Sequence, residues 1–281
     1  MKKRTFYSGL IRHLRRIKTA MGKNIYQLIL MREKDKQVIV VVGVQRSGTN
    51  MVMGVLDRNY ETEVFHERDP RAYINYEMRD YATIHNLIDN SRANFVVIKS
   101  LCELQDLNII MKEFGSAKVI WVYRECLPVV NSHVERWTSM PWSIAKIVED
   151  RDGEAGWRGR GMSDETYNQV RELYYKGMNN ESACALFWYF RSKLFFELGL
   201  DQCGAVMVVK YDDLLEDPVG QGRRICEFSG LGYSPRMTNI VSKNIGTKMQ
   251  DLEIDPEIMD VCSDLENRFR LYLDKTIQES A

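Results

Sequence analysis

The chain has 281 residues, of which 44% are hydrophobic and 28% are charged, a balance typical of globular proteins. This composition excludes intrinsic disorder and fibrous structure, and the length suits one large domain or two small ones. The 39 basic and 39 acidic side chains give a formal net charge of zero, but they are unevenly distributed. Residues 1–36 hold eleven basic and two acidic residues, a net charge of +9, so the rest of the chain carries −9.

The apolar runs and the cysteines indicate a cellular location. A transmembrane helix needs roughly 20 consecutive apolar residues, whereas the longest strongly apolar run, Val38 to Val44, is followed at once by Gln45 and Arg46. The six cysteines are scattered and form no Cys-x-x-Cys pair, which favours reduced thiols over disulfides or a zinc site. We therefore expect a cytoplasmic protein that requires no metal.

The basic stretch at residues 1–36 has two interpretations. Leu10, Leu14, Ile17 and Met21 recur at helical spacing, and basic residues occupy the other faces. Such a helix either makes a peripheral contact with an anionic membrane surface or packs its narrow apolar stripe on the main domain. We expect residues 1–36 to form a basic helical extension and residues 37–281 to form a single main domain.

From residue 37 onward the pattern predicts alternating strands and helices. Four short runs rich in β-branched residues predict buried strands: residues 37–42, 95–98, 118–123 and 205–209. A helix is expected at residues 49–56, and residues 131–200 are expected to be mostly helical around an aromatic-rich helix at 183–196. A glycine-containing segment, residues 151–163, is expected to be a mobile loop or lid. The order predicts an α/β fold of the P-loop NTPase type, with three α/β/α layers and a mainly parallel central sheet.

The segment after the first strand is typical of an anion-binding loop. It reads Gly43-Val44-Gln45-Arg46-Ser47-Gly48-Thr49-Asn50. In such a turn, backbone N–H groups and a helix N-terminus converge on one anion. The glycine spacing matches the start of a Walker A loop, but Thr49 and Asn50 replace the lysine and hydroxyl residue that bind the outer phosphates and magnesium. The loop is therefore poorly suited to ATP hydrolysis, while Arg46 supplies a cation within it.

This loop and two later segments resemble the PAPS-dependent sulfotransferases, which use 3′-phosphoadenylyl sulfate as donor. The strand followed by Arg-Ser-Gly-Thr is similar to the family's 5′-phosphosulfate loop. A later strand ends at Arg124, and Ser132 lies eight residues beyond it, as in the family's 3′-phosphate site. The segment from Lys210 to Leu214 is similar to the family's Tyr-Glu-Asp-Leu segment, in which the tyrosine packs near the adenine.

The resemblance implies a donor site and a reaction. The implied donor-binding residues are Gln45, Arg46, Ser47, Gly48, Thr49, Asn50, Arg124, Ser132 and Tyr211. The implied reaction moves the sulfuryl group of PAPS to an acceptor hydroxyl in one in-line step, with Arg46 stabilising charge on the transferring group. Near the C-terminus, Lys243 and Lys248 lie in a segment that faintly resembles the family's loop over the 3′-phosphate.

The acceptor's proton requires a base. Family members that act on small phenols and steroids carry a histidine two residues after a lysine, whereas this chain has Lys99-Ser100-Leu101. Branches that act on carbohydrates or protein tyrosines use a glutamate beyond the phosphate loop, and Glu67, 21 positions after Arg46, matches its register. The resemblance therefore implies Glu67 as the base, with Lys99 a candidate to approach it. His66 is the alternative, because its ordinary pKa suits proton transfer near neutral pH.

The absence of that histidine also favours a carbohydrate over a small phenol as acceptor. Trp137, Trp142 and Trp157 lie near the expected lid, where they either stack on sugar rings or pack in the core. No nucleic-acid partner is expected. Two other functions stay open: a P-loop nucleotide kinase or phosphotransferase, and a non-catalytic adaptor that binds membranes or nucleic acid through the +9 extension.

Overall fold

The computed structural model describes residues 21–29, 36–115, 117–242 and 250–280. Its strands are β1 (Gln37–Val42), β2 (Thr62–Phe65), β3 (Tyr73–Ile74), β4 (Glu77–Met78), β5 (Phe95–Lys99), β6 (Lys118–Tyr123) and β7 (Val206–Lys210). Five of them form a sheet in the order β2-β5-β1-β6-β7, and every neighbouring pair in it is parallel. Strands β3 and β4 form a separate antiparallel hairpin.

Helices connect the strands. They are α1 (Thr49–Asp57), α2 (Tyr81–Asn90), α3 (Leu107–Glu113), α4 (Cys126–Val134), α5 (Met140–Glu149), α6 (Asp164–Leu173), α7 (Asn180–Glu197), α8 (Tyr211–Glu216), α9 (Pro218–Ser229) and α10 (Pro256–Ser280). Residues 21–29 are also helical. Asp80, Ser163 and Asn179 start α2, α6 and α7 by accepting a hydrogen bond from a backbone N–H in the first turn. Within the described ranges, no helix is long and apolar enough to span a bilayer.

Alternating side chains of the sheet build two separate hydrophobic cores. Val38, Val40 and Val42 of β1 belong to the larger core, which includes the aromatic residues of α7. Ile39 and Val41 face the opposite side and pack with α1, α8 and α9. Because successive side chains of a strand point to opposite faces, each strand must be covered on both sides. The predicted three-layer α/β/α fold with a parallel central sheet is confirmed.

The strand predictions agree with the structure except at one edge. All four predicted strands are present within one residue of their predicted bounds. Strand β2 was not predicted, because its four residues include the charged Glu63 and it pairs on one side only, with β5. The aromatic-rich helix is confirmed: α7 is buried along most of its length, and Phe187, Trp188 and Phe190 are fully buried.

The glycine-containing segment at residues 151–163, expected to be a loop or lid, is a series of turns with a short 3₁₀ helix at Gly156–Arg158. The fully buried Arg191 of α7 donates to the carbonyl oxygens of Trp157 (3.1 Å) and Arg160 (3.4 Å). Burial lowers the pKa of Arg191 to about 10, so the group stays charged at neutral pH. A charged donor with carbonyl acceptors holds this segment against α7.

Candidate active site

The residues that define the site follow the carboxyl ends of all five parallel strands. The segment Gln45–Asn50 follows β1, Glu67 follows β2, Lys99 ends β5, Arg124 follows β6 and Tyr211 follows β7. In an open parallel sheet these ends meet at one edge, which is where ligands bind. They surround a cavity of about 320 Å³. The lining residues are Gln45, Arg46, Gly48, Thr49, Asn50, Met51, Glu67, Lys99, Leu101, Arg124, Ser132, Trp137 and Tyr211.

The loop between β1 and α1 has a special backbone conformation. Gly43, Arg46 and Gly48 have φ angles of 143°, 73° and 98°, values that side chains disfavour. A Cβ on Gly43 would lie 2.4 Å from the Val122 carbonyl oxygen, so only glycine fits beside β6. The Ser47 N–H donates to the Val44 carbonyl at 3.1 Å and closes the turn. The loop therefore leads directly into the N-terminus of α1, where the first N–H groups of a helix point out toward a ligand.

Tyr211 packs against the loop at Gly48. A Cβ on Gly48 would lie 2.0 Å from the Tyr211 ring, so glycine is required for this contact. The Arg124 guanidinium lies over the Tyr211 ring, 4.7 Å from its centroid, in a cation–π arrangement. Burial raises the pKa of Tyr211, which keeps its phenol neutral. Sequence-predicted residues from three strand ends are thus in mutual contact.

A second contact joins the two segments that were predicted to bind different phosphates of the donor. Arg46 Nε donates to Ser132 Oγ at 2.9 Å, which links the loop after β1 to α4. This bond offsets the strain of the left-handed conformation at Arg46. Burial lowers the pKa of Arg46, and the nearby Arg136 and Arg124 lower it further. The site therefore holds like charges close together.

Lys99 connects the loop to Glu67. Its Nζ donates to Glu67 Oε2 at 2.5 Å and to Asn50 Oδ1 at 2.9 Å. The Lys99 residue is 2% exposed, whereas the Glu67 side chain is 27% exposed. Burial lowers the pKa of Lys99, and the Glu67 carboxylate opposes that shift. The pair places the Glu67 carboxylate on the cavity wall with Oε2 bound to a cation.

Tyr73 supports this pair and was not found from the sequence. Its buried hydroxyl accepts from the Lys99 N–H at 2.8 Å, and lies 2.8 Å from the Lys99 carbonyl and 3.2 Å from the Phe65 carbonyl. It therefore joins the ends of β2 and β5, which carry Glu67 and Lys99. No pattern in the sequence connects Tyr73 to either strand, since the contact depends on the β3–β4 hairpin folding back.

His133 of α4 supports the loop after β1. Its Nε2 lies 2.9 Å from the Gln45 carbonyl oxygen, and its ring stacks near Trp137 with centroids 4.7 Å apart. Burial lowers the pKa of His133 to about 3. The imidazole is therefore neutral and donates its Nε2–H to the carbonyl, which holds the Gln45 peptide in place.

Some sequence-predicted residues lie away from the cavity. Ser47 is buried within the turn, and the exposed His66 is absent from the cavity lining. Of the three tryptophans, Trp137 lines the cavity, Trp142 is 50% exposed on α5, and Trp157 packs against Phe187. Lys243 and Lys248 lie outside the described residues, as do Leu10, Leu14 and Ile17.

The electrostatics of the cavity suit a small anion with several charges. Its lining carries three cations, Arg46, Lys99 and Arg124, against the single carboxylate of Glu67. Arg124 also has a buried Nε without a hydrogen-bond partner, and Trp188 Nε1 donates to its carbonyl at 3.1 Å. A buried donor that lacks an acceptor is costly, so an anionic ligand would complete this site. In the part of the chain that the structure describes, no group of three or more potential metal ligands comes together.

Comparison with known proteins identifies the family. The family profile described as "Sulfotransferase domain" matches residues 36–262. The chain belongs to the sulfotransferase family. This sulfotransferase is an enzyme of sulfuryl transfer, and the family's donor is PAPS. The match begins one residue before β1 and ends within α10, so it includes every residue that lines the cavity.

Solved sulfotransferase structures are similar to this chain. The sulfotransferase domain from the curacin biosynthetic pathway has a TM-score of 0.51 and 12% identity, covering 83% of this chain and 99% of that one. A sulfotransferase from Alicyclobacillus acidocaldarius has a TM-score of 0.46 and 17% identity, covering 88% and 97%. At 12% identity, the similarity to the curacin-pathway domain concerns the fold alone. No curated protein sequence matches the chain significantly.

Proposed function

We propose that this sulfotransferase transfers the sulfuryl group of PAPS to a hydroxyl group of a carbohydrate, with Glu67 as the general base. The observation that carries the proposal is the pairing of Glu67 with Lys99 at the wall of a cation-rich cavity, next to the phosphate loop. A glutamate carboxylate at this position can accept the proton of an acceptor hydroxyl. His66 is exposed and does not line this cavity.

We propose that the donor is held by two groups of residues. The loop from Gln45 to Asn50 and the N-terminus of α1 would bind the phosphosulfate end, because backbone N–H groups and Arg46 converge there. Arg124 and Ser132 would bind the 3′-phosphate, and Tyr211 would pack against the adenine. Support comes from the contacts that link these residues: Arg46 to Ser132, and Arg124 to the Tyr211 ring. PAPS supplies the activated sulfuryl group in the reaction.

The chemical step needs one proton acceptor and a stabilised leaving group. A bond forms between the acceptor oxygen and sulfur, and the bond from sulfur to the bridging phosphate oxygen breaks. The acceptor's proton passes to Glu67, whose Oε2 already accepts from Lys99. Arg46 and Lys99 lie where they can offset the negative charge that develops on the transferring group and the leaving phosphate. In this proposal the step needs no metal ion, because cationic side chains hold the leaving phosphate.

The carbohydrate assignment is supported by the apolar residues of the cavity. Trp137, Leu101 and Met51 line the same cavity as Glu67, and an indole face can stack on the apolar face of a sugar ring. A screen of sugars, lipids and peptides with radiolabelled donor tests this assignment. Preferred labelling of a phenol or a peptide would contradict it.

We further propose that residues 37–281 form the catalytic domain and residues 1–36 an extension, and that the protein works in the cytoplasm. The domain boundary is supported by the position of β1, which begins at Gln37 and is the central strand of the sheet. The location is supported by six cysteines that are all free thiols and mostly buried, since reduced cysteines are typical of cytosolic proteins.

The decisive experiment for the base is the variant Glu67→Gln. We expect turnover to fall by roughly 100- to 10,000-fold, the contribution typical of general base catalysis, while the affinity for adenosine 3′,5′-bisphosphate stays within about threefold. His66→Gln is the matched variant of the neighbouring residue and should retain most of the turnover. Near-normal turnover of Glu67→Gln, with a large loss in His66→Gln, would transfer the role to His66.

Calorimetry separates the proposed donor from that of a P-loop kinase. Adenosine 3′,5′-bisphosphate should bind more tightly than ATP with magnesium. In this proposal Arg124 and Ser132 contact the 3′-phosphate, which ATP lacks, and Thr49 stands where a Walker A loop has its phosphate-binding lysine. Tighter magnesium-dependent binding of ATP would favour the kinase instead.

A further inference from the structure

The helix at residues 21–29 exposes its apolar side and buries its polar side. Met21, Ile25, Leu28 and Ile29 are 61%, 56%, 69% and 70% exposed. Their spacing places them on one face of the helix, since residues three, four and seven apart lie together. In an ordinary surface helix of a globular protein, this face would be packed on the core.

The opposite face is held on the domain by polar contacts. Lys23 forms an ion pair with Asp57 at 2.8 Å, and Gln27 Nε2 donates to the carbonyls of Tyr60 (3.0 Å) and Thr62 (3.1 Å). Tyr26 packs on Tyr60 with ring centroids 5.9 Å apart. These contacts set the rotation of the helix, so that its apolar residues are directed away from the domain.

The chain that leads into this helix is strongly basic. Residues 1–20 contain seven lysine or arginine residues and no acidic residue, whereas the chain after residue 36 carries −9. An apolar helix face that directly follows a basic segment fits the surface of an anionic bilayer, where apolar side chains enter the headgroup boundary and cations contact the lipids. Charge complementarity therefore favours an anionic lipid surface as the occupant of this face.

The small area of this helix face also favours a lipid bilayer over a protein partner. A stable protein interface buries roughly 800 Å² on each partner, which four side chains on a two-turn helix do not supply. A bilayer interface requires no shape complementarity, and a short apolar face with adjacent cations is sufficient for peripheral binding. We propose that Met21, Ile25, Leu28 and Ile29 form a membrane-docking face that inserts into the interface of an anionic bilayer.

Vesicle sedimentation of the full-length protein tests the proposal. We expect binding to phosphatidylcholine vesicles that contain phosphatidylglycerol, weaker binding to phosphatidylcholine alone, and weakening at high salt, which screens charge. The triple variant Ile25→Ser/Leu28→Ser/Ile29→Ser should lower the partition coefficient by about tenfold or more. The control Ile109→Ser/Leu271→Ser removes two other exposed side chains, 55% and 71% exposed, and should bind as the parent does.

Two further measurements keep the test decisive. A melting temperature and an affinity for adenosine 3′,5′-bisphosphate equal to those of the parent would show that the triple variant is folded. If the triple variant is not folded, the variant Ile29→Trp is used instead. The fluorescence emission of its added tryptophan should shift to the blue when anionic vesicles are added. Unchanged binding of the triple variant, failure of the parent to bind anionic vesicles, or an unshifted Ile29→Trp emission would overturn the proposal. A parent dimer that the triple variant converts to a monomer, without vesicle binding, would assign the face to a second copy.

Discussion

The two halves of the cavity are built in different ways. The proposed donor half combines the loop from Gly43 to Asn50, which is shaped by backbone conformation, with Arg124 and Tyr211 from two other strand ends. The acceptor half depends on side chains from separate elements: Glu67 after β2, Lys99 on β5 and Trp137 after α4. Tyr73 of a separate hairpin holds the first two together. The proposed donor half should therefore be sensitive to Cβ atoms added at its glycines as well as to loss of its cations, whereas the proposed acceptor half should respond to side-chain changes alone.

The largest effect is expected from Lys99→Met, which removes the cation paired with Glu67 in the proposed acceptor half. We expect kcat to fall by roughly 100- to 1,000-fold, because a preorganised charge beside the reacting group is lost. The control is Lys23→Met, which breaks another lysine–carboxylate pair, 2.8 Å long and with a lysine side chain only 11% exposed, away from the cavity. Steady-state kinetics check the result. Equal effects of the two variants on kcat would mean that Lys99 acts on stability alone.

A smaller effect is expected from Arg124→Met in the donor half. Loss of one charge-assisted contact should weaken binding of adenosine 3′,5′-bisphosphate by roughly 10- to 100-fold. Arg223→Met is a close control, because Arg223 also lies 4.7 Å from a tyrosine ring centroid, that of Tyr233, and does not line the cavity. Calorimetry should show normal affinity in the control. Normal affinity in Arg124→Met would remove this residue from the donor site.

Gly48→Ala tests whether backbone shape controls the donor half. Gly48 and Gly230 both have positive φ, 98° and 78°, so alanine adds backbone strain of about 1–2 kcal/mol at either position. Only at Gly48 does the new Cβ also clash, 2.0 Å from the Tyr211 ring, whereas at Gly230 the nearest atom is 3.9 Å away. Chemical denaturation should show the larger loss for Gly48→Ala, with weakened donor binding. Equal losses and intact donor binding would contradict a tight loop–tyrosine contact.

The smallest effect concerns pH and His133. Its pKa is about 3 in the folded protein and 6.5 ordinarily, so the unfolded chain binds more protons between these values and stability falls as pH falls through this window. At pH 5 the loss attributable to this residue is roughly 2 kcal/mol. His133→Gln can still donate to the Gln45 carbonyl but does not titrate. Denaturation at pH 7 and pH 5 should therefore show a flatter pH dependence in this variant; an identical dependence would assign the acid sensitivity elsewhere.

Much of the fold and part of the site could be predicted from local pattern. Strands β1, β5, β6 and β7 are buried on both faces and therefore appear as continuous apolar runs. Strand β2 lies at the sheet edge and shows no such run. The mobility expected of residues 151–163 stays a prediction, and the structure adds a close contact at Gly161, where a Cβ would lie 2.1 Å from Gln105. Composition does not distinguish a glycine that gives mobility from one that permits close contact.

The parallel α/β fold, the glycine-spaced loop at Gly43–Asn50 and the family could be recognised from the sequence alone. They depend on short-range order: burial of strands, glycine spacing, and residues that directly follow strands. The Lys99–Glu67 pair, the supporting contacts of Tyr73 and His133, and the outward rotation of the helix at residues 21–29 are visible only in the folded chain. The physical reason is the same in each case. These features depend on side chains that are brought together, or directed apart, by packing between segments distant in the chain, and no local pattern records that packing.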